Sequence, residues 1–369
     1  MLPRPLLQSL KGFSLHGRPP AQAGGHFFVC TMTAIQGDKR IFRSEFKPAR
    51  WLTHCHLQTI LPSMPWAYPE TCQLQRTILK LPDGDETAVD WVADSANMPT
   101  SSPLLVVLHG LESSSESAYA RMLMHAATDH GWRCCVLHFR DCGDYRNPLP
   151  RRYHAGETSD IRHFLQTLVD DEHTGPIVAA GYSLGGNVLL KYLGESGSSS
   201  PLDAAVAVCV PLDLHECSEA LNRGFSKIYQ RYLLTSMKES MSRKFDRHTA
   251  AFDWDRAIQA TTFAEFDDAV TAPLHGFNGM QDYYDRCSSA KYLKGITVPT
   301  LIINALDDPF MTPAVIPDED MLSAAVRIEV SEKGGHVGFI EGGTPWRPKF
   351  YLPRRVIGFL EGQLSEPAP

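Results

Sequence analysis

The feature that most constrains the fold of this chain is a series of short, mostly apolar runs that alternate with helix-like stretches. Runs of five to seven residues that are apolar on both faces predict strands buried inside a parallel sheet. The stretches between them predict crossover helices. The runs occupy 104–109, 134–139, 177–183, 204–210, 300–304 and 326–330. The sequence therefore predicts an α/β fold with a mostly parallel central sheet flanked by helices.

Two segments depart from this rhythm. Residues 72–81 and 87–92 alternate apolar and polar side chains around a Pro-Asp-Gly-Asp turn, which predicts an antiparallel hairpin at one edge of the sheet. Residues 212–296 contain no strand-like run and are rich in amphipathic and aromatic stretches. We expect this interval to form a helical cap inserted between two core strands.

These patterns divide the chain into predicted parts. The core would be built from residues 32–211 and 297–369, on either side of the cap at 212–296. Residues 1–31 carry no acidic side chain and are interrupted by a Pro-Pro pair, so we expect a loose extension and regard Met32 as a candidate for the native start.

Composition excludes some classes of function. Lys and Arg number 35 against 42 Asp and Glu, and the net charge of −7 offers no basic surface for nucleic acid. No run of about 18 apolar residues is present, so a transmembrane segment is not expected. Nine cysteines without a C-x-x-C pair are typical of reduced thiols, which predicts a cytoplasmic protein.

The strongest chemical signal is the sequence GYSLGG at 181–186, which fits G-x-S-x-G. It follows the β-like residues 177–180 and continues into the helix-like residues 187–192, which is the strand, turn and helix context of a nucleophile elbow. This context predicts Ser183 as a catalytic nucleophile. The alternative is a glycine-rich turn without catalysis, because the motif alone is common.

A serine nucleophile needs a base and an acid, which follow it along the chain in this fold. His336 follows two glycines after the last predicted strand and is the candidate base. Asp307 and Asp308 follow the strand-like run at 300–304, at the edge of the sheet where ligands bind. We expect Asp308 to be the acid, since the apolar Phe310 comes two residues later, and Asp307 is the alternative.

Acyl transfer also requires backbone N–H groups that stabilise an oxyanion. One candidate is the N–H of Leu184, directly after the nucleophile. The other is the N–H of Leu111, in the His-Gly-Leu loop that follows the first parallel strand.

Three other residue clusters are weaker candidates for a metal or ligand site. His54 and His56 flank a cysteine but lack a further ligand pair, so no metal is expected there. Residues 141–146 follow a strand without the spacing of a phosphate loop, and residues 282–285 are typical of helix packing with a polar edge. We predict neither a metal nor an organic cofactor.

From about Phe46 onward, the chain resembles the YheT-like branch of the α/β-hydrolase superfamily. The shared motifs are CHLQT at 55–59, HGL at 109–111, FR at 139–140, YHAG at 153–156, GYSLGGN at 181–187, DYY at 282–284, DDPF at 307–310 and GGHVGF at 334–339. The resemblance implies the α/β-hydrolase fold and carboxylic-ester hydrolysis by Ser183, Asp308 and His336. Relatives in this branch include lipid esterases and alcohol acyltransferases.

The sequence thus predicts a hydrolase that acts on a small-molecule acyl ester through an acyl-enzyme on Ser183. Two alternatives stay open: an acyltransferase that passes the same acyl group to an alcohol, and a hydrolase-like scaffold that binds without catalysis. The acyl chain length and the oligomeric state are left open by the sequence.

Overall fold

The computed structural model describes residues 39–93, 98–171 and 173–365, and the fold is given for these residues. Contacts divide the chain into two units, 1–39 and 40–369, and the elements below all belong to the second. The predicted extension at 1–31 and the candidate start at Met32 lie outside the described residues.

A nine-stranded sheet forms the centre of the second unit. Its strands are β1 Ile41–Arg43, β2 Leu74–Lys80, β3 Glu86–Val92, β4 Leu104–Leu108, β5 Arg133–Leu137, β6 Ile177–Tyr182, β7 Ala204–Val208, β8 Thr300–Ala305 and β9 Val326–Ser331. They lie in the order β1-β9-β8-β7-β6-β4-β5-β3-β2. The seven strands from β1 to β5 in this order run parallel, while β3 pairs antiparallel with β5 and with β2.

The predicted α/β fold with a mostly parallel sheet is therefore confirmed, and the predicted hairpin lies at one edge as β2 and β3. Two features were not predicted. The strand β1 pairs in parallel with β9 at the opposite edge. A separate antiparallel hairpin is formed by β10 Ile340–Thr344 and β11 Arg347–Phe350.

Side chains of the central strands enter two apolar cores, one on each face of the sheet. Along β4, Leu104, Val106 and Leu108 belong to the first core, while Leu105 and Val107 belong to the second. This alternation follows from the two-residue period of a strand. Both faces are apolar because helices cover both.

The helices are α1 Cys55–Ile60, α2 Ala118–Asp129, α3 Ser159–Asp170, α4 Leu184–Ser196, α5 Leu214–Leu221, α6 Ser226–Lys244, α7 Trp254–Gln259, α8 Phe263–Phe266, α9 Ala272–His275, α10 Gly279–Cys287 and α11 Tyr351–Ser365. A π-helix, Asp267–Thr271, joins α8 to α9. Helices α3 and α4 contribute to the first core, and α2 and α11 contribute to the second.

The chain between β7 and β8 is helical throughout its described elements, which is the interval predicted as a cap. Side chains from Leu221 to Val270 build a separate apolar core there, against which Leu111 and Phe310 pack. Tyr283 and Tyr284, on α10, belong instead to the first core of the sheet. The boundaries at 212 and 296 stay predictions.

In the part of the chain that is described, no helix is both long enough and apolar enough to cross a bilayer.

Candidate active site

Ser183 lies at the tip of the turn between β6 and α4, in a strained backbone conformation with φ of 52° and ψ of −118°. Its N–H donates to the Val208 carbonyl over 2.8 Å, which fixes the turn to β7. A Cβ atom at Gly185 would lie 2.4 Å from the Leu108 and His109 carbonyl oxygens. Glycine at this position lets the helix approach the sheet closely enough to present the serine hydroxyl.

The His336 imidazole connects the serine to a carboxylate. Its Nε2 lies 3.1 Å from Ser183 Oγ, and its Nδ1 lies 2.8 Å from Asp308 Oδ2. Because an ionised carboxylate only accepts hydrogen bonds, we assign the ring proton to Nδ1. Nε2 is then free to accept the serine proton.

The two adjacent carboxylates have different partners. Asp308 is fully buried in its side chain and bonds His336 through Oδ2, while its Oδ1 accepts the Phe310 N–H over 2.8 Å. Asp307 Oδ1 accepts the Gly335 N–H over 3.0 Å, and burial raises the pKa of Asp307. The structure thus brings Asp308 to the imidazole and Asp307 to the backbone of the loop that carries it.

Helix α1 supports the histidine loop from outside the sheet. Thr59 Oγ1 accepts the His336 N–H over 2.9 Å and donates its own proton to the Cys55 carbonyl, also over 2.9 Å. The fully buried Gln58 carboxamide donates to the Ile340 carbonyl over 3.1 Å and accepts the Ile340 N–H over 2.7 Å. The CHLQT motif at 55–59 is recognisable in the sequence, but no local pattern indicates that it supports the histidine loop.

An aromatic ring completes the surroundings of the imidazole. The Phe310 ring stacks on His336 with centroids 3.9 Å apart and an interplanar angle of 2°. The stacking limits rotation of the imidazole, and the negative face of the ring favours a positive charge on it.

The Leu111 N–H, which the sequence predicts as an oxyanion donor, lies between two N–H groups that have acceptors. The neighbouring N–H groups of Gly110 and Glu112 donate to the hydroxyls of Tyr119 and Tyr153, each over 2.8 Å. Within the described ranges, no hydrogen bond uses the Leu111 N–H. It is therefore an available donor, and Leu111 lines the same cavity as Ser183 and His336.

A buried histidine orients this loop. His109 Nε2 accepts the Phe139 N–H over 3.1 Å, so its Nδ1 carries the proton and donates to the Gly110 carbonyl over 2.8 Å. Burial, with the neighbouring His138, lowers the pKa of His109 to about 3 and keeps the ring neutral. In a trans peptide the N–H points opposite to the carbonyl, so this bond directs the Leu111 N–H away from His109.

The second candidate donor is the Leu184 N–H at the first position of α4. The first N–H groups of a helix have no acceptor within the helix and carry its partial positive charge. Leu184 lines the same cavity as Leu111 and Ser183. Both predicted donors thus belong to residues of the cavity that Ser183 lines.

This cavity lies between the sheet and the inserted helices and measures about 1000 Å³ when its open mouth is included. Most of its surface is apolar, and much of that comes from the inserted helices. The apolar side chains include Leu214, Leu221, Leu233, Met237, Phe263, Phe266 and Val270. Such a cavity suits an apolar chain next to a reacting carbonyl.

A buried ion pair borders the cavity near the Leu111 loop. Arg152 Nη2 lies 2.6 Å from Glu112 Oε1, and Ser240 of α6 donates to Glu112 Oε2 over 2.6 Å. Burial favours a higher pKa for Glu112, but the Arg152 charge and the hydroxyls of Ser240 and Tyr153 outweigh it, so the pKa is lowered. Glu112 is therefore ionised, and its bond from Ser240 connects the Leu111 loop to helix α6.

The weaker sequence candidates have ordinary surroundings. His56 Nδ1 lies 3.2 Å from the Tyr229 hydroxyl, and its ring packs on Phe225 with centroids 4.3 Å apart. Asp141, at the start of the phosphate-loop candidate, pairs with Arg152 over 3.1 Å. The tyrosines of the 282–285 motif, in contrast, line the cavity.

The chain is similar to known proteins over most of its length. The sequence model described as the alpha/beta hydrolase fold matches residues 103–343. The chain is 42% identical over 340 residues to "Putative esterase YheT" of Escherichia coli, a match that covers 91% of this chain and 99% of that protein. It is 29% identical over 358 residues to "Phospholipase ABHD3" of Mus musculus, covering 95% of this chain and 86% of that protein.

Among solved structures, an esterase of Pyrococcus furiosus is similar in fold. The TM-score is 0.54 at 15% sequence identity, and the match covers 82% of this chain and 99% of that one.

Proposed function

The chain belongs to the alpha/beta hydrolase family, and from this premise we propose that it is a serine hydrolase that cleaves carboxylic esters through an acyl-enzyme on Ser183. The observation that carries the proposal is the pair of hydrogen bonds that links Ser183 Oγ, His336 and Asp308 Oδ2. Relatives named as an esterase and as a phospholipase support an ester substrate.

In the first half-reaction, Ser183 Oγ attacks the ester carbonyl carbon while His336 Nε2 takes the hydroxyl proton. The carbonyl π electrons move to the oxygen, which becomes an oxyanion. Asp308 stabilises the imidazolium through the Nδ1–H bond and keeps the ring in the required tautomer. When the intermediate collapses, the bond to the alcohol breaks and His336 returns its proton to the leaving oxygen.

The N–H groups of Leu111 and Leu184 would donate to the oxyanion in both half-reactions. One such donor typically contributes about 3 kcal/mol to the lowering of the barrier. The loop of His109 and the positive end of α4 hold these donors before the substrate arrives, so little reorganisation accompanies the reaction.

In the second half-reaction, a water molecule attacks the acyl-enzyme with His336 as base, and the acid is released with Ser183 restored. The apolar cavity under the inserted helices would hold the acyl chain. An alcohol in place of water would give the acyltransferase outcome through the same intermediate.

The experiment is a series of p-nitrophenyl esters of increasing acyl length, measured with the wild type and Ser183→Ala. We expect the variant to lose at least roughly 1000-fold in turnover while its circular dichroism and melting temperature stay unchanged. A fluorophosphonate probe should label Ser183 in the wild type only. Wild-type protein that neither turns over esters nor takes the label would favour the binding scaffold, and an ester product formed with added alcohol would favour the acyltransferase.

A further inference from the structure

Asp267 is a buried carboxylate in the cavity wall, and the described part of the chain gives it no cationic partner. Asp267 is 7% exposed and lines the same cavity as Ser183 and His336. It begins the π-helix between α8 and α9, and π-helices are frequent at functional sites.

The contrast with the other buried acids is direct. Among the described residues, seven aspartates and glutamates are buried over the whole residue, backbone included, and six of them pair with an arginine or histidine. Those six are Asp85 and Asp160 with Arg140, Asp90 with Arg76, Glu157 with Arg151, Asp308 with His336, and Glu329 with Arg355. Asp267 is the one of the seven without a cationic partner in the described part of the chain.

Its existing contacts come from neutral hydroxyls. Thr271 donates to Oδ1 over 2.6 Å, and Tyr284 donates to Oδ2 over 2.8 Å. Each carboxylate oxygen can accept two hydrogen bonds, so acceptor capacity remains on both. These bonds hold the carboxylate in place without balancing its charge.

The surroundings favour a cation as the missing partner. The rings of Phe263, Phe266, Tyr283 and Tyr284 line the cavity together with Asp267. Aromatic rings attract ammonium groups, and quaternary ammonium groups are commonly bound among such rings. Burial of an unpaired carboxylate is costly, and a ligand cation would remove that cost.

Two histidines of the same cavity, His154 and His275, do not supply this charge, and the third, His336, already bonds Asp308. Burial, with the charge of neighbouring groups, lowers the pKa of His154 to about 3 and that of His275 to about 4, so both are neutral at pH 7. Arg152, which also lines the cavity, is already paired with Glu112 and Asp141.

We propose that Asp267 binds a quaternary ammonium group of the substrate, so that this enzyme selects esters carrying a positive charge. The inference rests on the proposed ester hydrolysis, because it assigns the cation to the substrate of Ser183. Asp267 is then a specificity-determining residue, and the reacting groups are unchanged.

The test uses matched pairs of esters that differ only in charge. One pair has an acyl chain ending in trimethylammonium or in the isosteric tert-butyl group, and a second pair carries these groups on the alcohol. We expect the wild type to prefer the cationic member of at least one pair by about tenfold in kcat/KM. Asp267→Asn should abolish this preference. The neutral member of each pair, which carries the tert-butyl group, should react within about threefold of its rate with the wild type.

Asp268→Asn is the matched control, since it removes the same charge from a neighbouring side chain that is 39% exposed and pairs with Arg256. It should keep the preference. If Asp267→Asn does not fold, the wild type is instead tested for inhibition by tetramethylammonium and by tert-butanol. The proposal predicts stronger inhibition by the cation, and equal inhibition would contradict it. If the wild type hydrolyses the neutral esters and does not prefer the cationic ester in either pair, the Asp267 proposal alone is overturned. If no ester is hydrolysed in a Ser183-dependent way, the proposed function is overturned.

Discussion

At the scale of single residues, Asp307 and Asp308 show how neighbouring side chains of one type acquire different roles. Only Asp308 reaches the imidazole, and Asp307 instead accepts the Gly335 N–H. Phe310 explains the difference in part, because its N–H donates to Asp308 Oδ1 and its ring stacks on His336.

Because of this geometry, we expect substitution of Asp308 to lower kcat far more than substitution of Asp307. Asp308→Asn should lower kcat by roughly 10⁴-fold, because the amide favours the wrong imidazole tautomer. Asp307→Asn should lower kcat less than about tenfold, since its amide oxygen can still accept the Gly335 N–H. Steady-state kinetics on both variants decides the assignment, and a larger loss for Asp307→Asn would transfer the role of acid to Asp307.

The unpaired Asp267 also predicts a pH dependence of stability. Burial raises its pKa from 3.8 to about 6, so the folded protein binds this proton more tightly than the unfolded chain. The resulting stabilisation is complete below about pH 3.8 and is lost as the pH rises through about 6. Relative to Asp267→Asn, the wild type should therefore lose about 2 to 3 kcal/mol of unfolding free energy between acid and neutral pH.

Urea unfolding of both proteins at pH 4.5 and 7.5 measures this difference, because the other titrating groups cancel in the comparison. Two proteins whose stabilities change in parallel with pH would mean that Asp267 has an ordinary pKa.

At the scale of elements, the position of His336 depends on α1, which is distant in sequence. Thr59 bonds the His336 backbone and Gln58 bonds both polar groups of Ile340, so two consecutive residues hold the loop between β9 and β10. A Cβ at Gly338 would lie 2.2 Å from the Gln58 carbonyl oxygen, which shows how closely the helix and the loop pack.

We therefore expect Thr59→Val to lower kcat by about tenfold with KM little changed, because the loss of one bond to the His336 backbone loosens the base. Thr59→Ser keeps the hydroxyl and should restore most of the rate. Melting temperatures of the three proteins separate positioning from general destabilisation. Equal kcat values for Thr59→Val and the wild type would show that packing alone holds the loop.

The elements that sequence patterns predicted are those with local signals. The central strands have apolar runs, and the turn at 82–85 has a strong hairpin composition. Strand β1 is only three residues long, and β10 contains Gly342 and Gly343, so neither carries a clear period. The π-helix at Asp267 was also beyond prediction, because its sequence matches an ordinary helix.

At the scale of the whole molecule, a buried arginine joins parts of the sheet and its helical layer. Arg140 is 2% exposed and pairs with Asp83 and Asp85, in the β2–β3 turn, and with Asp160, in the first turn of α3. The distances are 2.6, 3.0 and 2.7 Å. The network links the hairpin edge to the layer of helices that covers the first core.

Arg140→Met should destabilise the protein by about 3 to 5 kcal/mol, because it leaves buried carboxylates without a cation. Arg43→Met is the matched control, since its pair with Glu332 is exposed and worth about 0 to 1 kcal/mol. Urea midpoints of the two variants provide the comparison. Similar small effects would mean that water reaches the carboxylates of Asp85 and Asp160 in the variant.

Whole-molecule organisation also explains which parts of the candidate site sequence patterns could reveal. Ser183, Asp308 and His336 each follow a strand that has a clear apolar run, so topology alone brings them to one edge of the sheet. Strand topology does not determine which side chains of the inserted helices line the cavity. Asp267 and Tyr284 come together through the packing of helices whose mutual angles leave no mark in the sequence.

The insertion of the helices between β7 and β8 has an evolutionary consequence. The cavity side chains from Leu214 to His275 come from one continuous stretch, which leaves the sheet once and returns once, whereas the three triad candidates lie outside it. A single recombination of that stretch with the matching one of a homologue would exchange the part of the cavity wall that these helices supply and spare the reactive groups. New substrate preferences can therefore arise in this lineage as a module, without a period in which the chemistry is lost.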